Sequence, residues 1–124
     1  MEHIISSSQL QIDHLEDIFR NKKKLALSED TIRNIEKSRK YLDEKMTHHK
    51  EPIYGINTGF GSLYHVTISE EELGKLQENL ILSHSCGAGE LVPIEIIKKI
   101  LFLKIQSLAY GYSGISLDVV QRLI

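Results

Sequence analysis

Behind Pro93 lies a run of Ile94, Ile96, Ile97, Ile100, Leu101, Phe102, Leu103, Ile105 and Leu108 which, wound at helical spacing, is apolar around most of its circumference. A helix of that kind cannot rest on a surface with one face covered. It needs neighbours on several sides, and this commits the chain to a packed, mainly α architecture. A chain of 124 residues buries only about two thirds of its unfolded surface. Residues 1–124 are therefore not expected to cover this helix fully, and the chain reads as an incomplete domain.

The remaining elements are short. Residues 3–6 and 24–27 are expected to pair as brief strands, separated by a helix from about Asp13 to Arg20. A longer helix follows Ser28, with Glu29 and Asp30 in its first turn and Ile32, Ile35, Leu42 and Met46 along one face. Ser69 and Glu72 have the spacing of a capping box, and Ile68 with Leu73 that of a hydrophobic staple. Leu73, Leu76 and Leu80 define the buried face of the helix they open, which Gly87 and Gly89 are expected to end. Ser116 caps a last helix, with Asp118 in its first turn, that runs barely two turns to Ile124.

Between these helices sits Tyr54-Gly55-Ile56-Asn57-Thr58-Gly59-Phe60-Gly61, within a Gly-rich loop over residues 52–63. Glycines spaced this closely let the backbone reach positive φ and approach another chain or a ligand, at an entropic cost that ordinary packing does not require. Pro52 and Ile53 favour an extended approach to them. A tyrosine held there can serve as acid or base, although an unperturbed phenol, with a pKa of roughly 10, needs nearby donors or positive potential to ionise near neutrality. The same residues also fit a glycine-rich turn anchored by Tyr54 and Phe60. A phosphate-cradling loop fits poorly, because no Lys-Ser or Lys-Thr pair follows the last glycine.

Two further blocks follow in order, Leu76-Gln77-Glu78-Asn79-Leu80-Ile81-Leu82-Ser83-His84 with Gly87-Ala88-Gly89, and Leu108-Ala109-Tyr110-Gly111-Tyr112-Ser113-Gly114-Ile115. Together with Tyr54 to Leu63 they closely resemble the N-terminal part of the histidine ammonia-lyases, within the aromatic amino-acid ammonia-lyase family. The resemblance covers roughly residues 50–116, while residues 1–45 match mainly in pattern. It implies a multihelical N-terminal segment of the ammonia-lyase fold, with short β pieces and a Gly-rich active-site loop.

That family removes ammonia from an amino acid to leave an α,β-unsaturated acid, using a methylidene-imidazolone electrophile made from an internal Ala-Ser-Gly. No Ala-Ser-Gly occurs in these 124 residues. The resemblance therefore implies an N-terminal portion of a larger enzyme, inactive alone, whose complete form carries the electrophile and assembles as a homotetramer. It assigns Tyr54 as the base that takes a β-proton, Gly61 as a position where backbone lies close to the bound amino acid, and Gly55, Asn57 and Gly59 as loop-shaping. His84 after Ser83 matches relatives that handle histidine or tyrosine, whereas phenylalanine-preferring members are apolar there. An imidazole left unpaired against a phenyl ring would cost about 1–3 kcal/mol. The expected reaction is L-histidine to urocanate and ammonia, with a tyrosine ammonia-lyase or aminomutase, or a non-catalytic interaction module on the same scaffold, as alternatives. Read without the resemblance, a histidine near a helix end also serves as a cap or a satisfied polar group.

The third block departs from the family. Lys104-Ile105-Gln106 stands where Arg-x-Asn is usual, and Tyr110 where lysine is. Lysine keeps the charge of arginine but loses its planar two-pronged hydrogen bonding.

Composition narrows the partners. A formal charge of −2 with both signs spread along the chain offers no basic stripe for nucleic acid. Lys22-Lys23-Lys24 reads as a solvated turn. A single cysteine, Cys86, excludes an internal disulfide framework and fits a reducing, cytoplasmic setting. No stretch has the length and apolarity of a membrane span, and the N-terminus, with Glu2, His3 and Ser6-Ser7-Ser8, lacks a signal-peptide pattern. No metal site is expected. His48-His49 point apart on a helix, His84 and Cys86 lack further ligands nearby, and the histidine pair with Lys45 and Lys50 instead complements a helix C-terminus.

Overall fold

The computed structural model describes residues 1–48 and 51–124. The chain divides into two compact units, one formed by Met1–His48 with Val92–Ile124, the other by His49–Leu91. His49 and Lys50, assigned above to a helix C-terminus, lie outside the described residues.

The first unit begins with strand β1 (Glu2–Ile5), helix α1 (Ile12–Arg20) and strand β2 (Lys24–Leu27). The strands pair in parallel, Glu2 against Lys24 through Ile5 against Leu27, which is why a helix must carry the chain back between them. Lys23 is not solvated as its neighbours are. It is half-buried and its ammonium bonds the Asp17 carboxylate. That bond, with the Asn21 side-chain amide at 2.6 Å, holds the Asp17 carboxyl below the usual carboxylate range. Lys22 and Lys24 remain exposed.

Helix α2 (Glu29–His48) starts where Ser28 Oγ accepts the Thr31 N–H at 3.2 Å, satisfying one of the orphan donors of the first turn. Of its apolar stripe Ile35 is fully buried, while Ile32, Leu42 and Met46 are half-buried. Helix α4 (Ile94–Ala109), opened by Pro93, contributes Phe102, Ile105, Leu108 and Ala109 to a core completed by Ile5, Ile18, Ile35 and Val120 of α5 (Leu117–Leu123). Phe19 meets Phe102 edge-on, with ring centroids 5.8 Å apart. The N-terminal half of α4 stays uncovered, as its all-round apolarity implied. Ile94 is 61% and Ile100 56% exposed, with Ile96, Leu101 and Leu103 also open.

Gln106 is one of the departures from the family pattern. Its side-chain amide is buried and donates to the Ser6 carbonyl at 2.8 Å, tying α4 to the end of β1. Lys104 is exposed, and Tyr110 is the C-terminal cap of α4.

The second unit carries the glycine loop, a 3₁₀ turn (Gly61–Leu63) and helix α3 (Glu70–His84). Leu73, Leu76 and Leu80 are half-buried along one stripe of α3. The capping box forms in altered shape, since the Ser69 hydroxyl donates to the Glu72 carboxylate at 3.0 Å and makes no bond to backbone. The hydroxyl hydrogen goes to the carboxylate, and the hydroxyl oxygen accepts no N–H of the first turn. The helix also ends earlier than its glycines predict, at His84 with Ser85 as cap. The Ser83 hydroxyl and the His84 ring both reach the Leu80 carbonyl, which satisfies the last turn without a left-handed glycine. Gly74 lies inside this helix facing open space. Gly74→Ala is expected to raise stability by about 0.5–1 kcal/mol, checked by urea unfolding; an unchanged or lower midpoint would contradict it.

Candidate active-site loop and helix end

The loop is shaped by two buried polar side chains, Asn57 and Thr58. Asn57 Oδ1 accepts the Ile53 N–H at 2.7 Å, and its Nδ2 donates to the Glu51 carbonyl at 3.2 Å, so one carboxamide clasps the segment that leads into Tyr54. On the other side of the tyrosine, Thr58 Oγ1 accepts the Gly55 N–H at 3.4 Å and donates to the Gly59 carbonyl at 3.0 Å. The returning chain closes the loop, with Ile68 N–H on the Asn57 carbonyl at 2.9 Å and Gly59 N–H on the Val66 carbonyl at 3.0 Å. The backbone on both sides of Tyr54 is thereby fixed, while its own side chain is 63% exposed.

The glycines answer two demands. Gly55 and Gly61 take φ of +77° and +57°, in the left-handed region where a side chain is strained. Gly59 is needed for closeness, because a Cβ there would stand 2.7 Å from Leu63 Cβ and 2.8 Å from the Leu63 carbonyl oxygen. Gly61 has nothing within 4 Å of where its Cβ would lie, so this loop leaves open space in front of it.

Tyr54 packs edge-on against the half-buried Phe60, ring centroids 6.3 Å apart. Among the described residues its hydroxyl has no hydrogen-bond partner. A phenol presented this way can give a proton to a group brought to within about 3 Å, and can take one only once it is ionised. His84 stands exposed at the end of α3, its Nδ1 2.9 Å from both Ser83 Oγ and the Leu80 carbonyl oxygen. No hydrogen bond or aromatic contact joins it to the loop among the described residues. No group of three or more His, Cys, Asp or Glu side chains among them could hold a metal ion. No helix among them is long and apolar enough to cross a membrane. A cavity of about 500 Å³ in the first unit is walled by Ile18, Phe19, Leu25, Phe102 and others, and by none of the predicted site residues.

Sequence reasoning passed over Thr58 and Ser83. A threonine three residues after the one it fastens is a recognisable side-chain turn signal, and Ser83 was noted only as the neighbour of His84. Asn57→Ala should leave the Ile53 N–H and the Glu51 carbonyl unpaired, at a local cost of about 1–3 kcal/mol. Hydrogen exchange of the Ile53 amide is expected to quicken while the Ile5 amide in the first unit is unaffected; equal protection in both proteins would show that the clasp contributes nothing.

Residues 10–124 match the family model described as aromatic amino acid lyase. The chain is 42% identical over 128 aligned residues to a histidine ammonia-lyase of Legionella pneumophila (strain Lens), covering 99% of this chain and 24% of that protein. It therefore spans about a quarter of the length of such curated relatives. Among solved structures it is similar to the histidine ammonia-lyase of Trypanosoma cruzi, with a TM-score of 0.82 at 33% identity over 99% of this chain and 24% of that one. It also shares its fold with a tyrosine aminomutase of Streptomyces globisporus, with a TM-score of 0.87 at 24% identity, covering 99% and 23% of the two chains.

Proposed function

This chain belongs to the aromatic amino acid lyase family, and we propose that it is the base-bearing segment of an ammonia-lyase that converts L-histidine to urocanate and ammonia. The observation that carries the reading is the fixed loop with a free phenol. Bonds to backbone from buried Asn57 and Thr58 hold the residues on either side of Tyr54, and among the described residues its hydroxyl has no hydrogen-bond partner. Tyr54, acting as its phenolate, takes the proton from the substrate β-carbon and becomes the neutral phenol. The open backbone at Gly61 leaves room for the amino acid, and His84 pairs with the polar ring of the substrate. The high identity to histidine ammonia-lyases across the whole chain favours histidine over tyrosine.

The family electrophile has no precursor here, since Ala-Ser-Gly is absent from the sequence. The residues present do not supply that group, and the 124-residue chain is proposed to be inactive alone. The complete enzyme is proposed to be a homotetramer.

The test compares the isolated chain with the protein translated from its whole native reading frame, each supplied with L-histidine or L-tyrosine. Urocanate absorbance is expected from the longer protein and none from the isolated chain. Coumarate in place of urocanate would move the substrate to tyrosine. Sustained urocanate release by the pure 124-residue chain would overturn the claim that it is inactive, and neither product from either protein would overturn the lyase reading.

A further inference from the structure

His84 sits at the C-terminal end of α3 with one ring nitrogen committed. Nδ1 is 2.9 Å from the Leu80 carbonyl oxygen and 2.9 Å from Ser83 Oγ. Ser83 Oγ itself lies 3.0 Å from the same carbonyl, to which it donates its only hydrogen. A carbonyl oxygen has lone pairs and no hydrogen, so at hydrogen-bond distance the proton has to come from the ring. Were Nδ1 bare, its lone pair would face that of the carbonyl in a contact no shorter hydrogen bond offsets. With the Ser83 hydrogen on Leu80, the serine oxygen also has a lone pair turned to an Nδ1–H. Both neighbours therefore favour the same proton position.

We infer that the Leu80 carbonyl and Ser83 lock His84 as the Nδ1–H tautomer, so that Nε2 is presented outward as a hydrogen-bond acceptor. Ser83 is thus a positioning residue for His84, and the ligand group this histidine takes is a donor, a ring N–H or a phenolic O–H. A group that only accepts finds no partner there. The ligand half of the inference rests on the lyase reading above; the tautomer does not.

The tautomer is read on the isolated chain with ¹⁵N-labelled histidine, from long-range ¹H–¹⁵N correlations at a pH where the ring is neutral. The His84 signal is identified as the one lost in His84→Gln, a change at an exposed helix end. Protonated Nδ1 with bare Nε2 is the expected pattern, and Ser83→Ala should keep it with a measurable admixture of the other form, since the carbonyl remains. An Nε2–H pattern in the parent chain, or a mixture unchanged by Ser83→Ala, would overturn the inference. Should the longer protein turn over histidine while His84 is Nε2–H, the tautomer is wrong and the lyase reading stands; a locked Nδ1–H without turnover sustains the tautomer and removes the lyase reading.

Discussion

Gly111→Ala is expected to lower the melting temperature of this chain on the order of 10 °C, the largest stability loss of any single methyl addition discussed for it. Two costs coincide at this position. Gly111 follows α4 at φ +74°, where an alanine pays about 1–2 kcal/mol for its left-handed backbone. Its Cβ would also stand 2.8 Å from Asn34 Cβ and 2.9 Å from the Asn34 backbone carbon and oxygen, within α2. A helix backbone cannot swing aside as a side-chain tip can, so overpacking adds roughly 1–3 kcal/mol. Asn34→Gly removes only the Cβ contact and should not rescue the variant. Gly114 is a milder case, because its nearest obstacle is Leu42 Cδ2, the far end of a flexible side chain. Gly87, with open space and no positive φ, is the control that should tolerate alanine. Thermal unfolding of Gly111→Ala and Gly87→Ala side by side checks this, and equal midpoints would mean that α2 and the Gly111 turn do not approach as described.

What could be seen in the sequence and what could not divides along the distance between partners in the chain. The strands, the helices and the stripe Leu73, Leu76 and Leu80 follow from local periodicity, which repeats within one or two turns. The uncovered end of α4 follows from the same count, because no single neighbour covers a helix apolar on all sides. Gly111 and Gly114 were visible as part of a motif, but their physical reason is α2, some seventy residues earlier, and no pattern within the motif points there. The Gln106 bond to Ser6 spans a hundred positions and turned an apparent family departure into a buried tie. At the loop, Asn57 was singled out by resemblance alone, whereas the bonds it makes before the tyrosine and those Thr58 makes after it depend on which backbone groups each side chain meets. The end of α3 was misjudged for a related reason. Glycine is the commonest stop signal, but here polar side chains at Ser83 and His84 bond the last turn first.

Tyr54→Phe in the longer protein is expected to cut kcat on L-histidine by roughly 10²–10⁴-fold, the span general base catalysis contributes, while leaving the fold intact. The structure separates the two effects. The ring keeps its edge contact with Phe60, and the lost oxygen has no hydrogen-bond partner among the described residues, so stability should shift by no more than about 0.5 kcal/mol. The loop is held by Asn57 and Thr58 through backbone, and neither touches the phenol oxygen. Asn57→Ala provides the opposite lesion, since it keeps the hydroxyl and loosens what aims it. If proton removal by Tyr54 limits the reaction, Tyr54→Phe loses kcat without losing stability, and Asn57→Ala loses part of kcat together with local protection of the Ile53 amide. Turnover and melting temperature measured on both variants decide the matter. Near-normal kcat in Tyr54→Phe removes this residue from proton transfer, and a fall in melting temperature matching the fall in turnover makes it a scaffold residue, with the exposed phenol serving the loop and not the substrate.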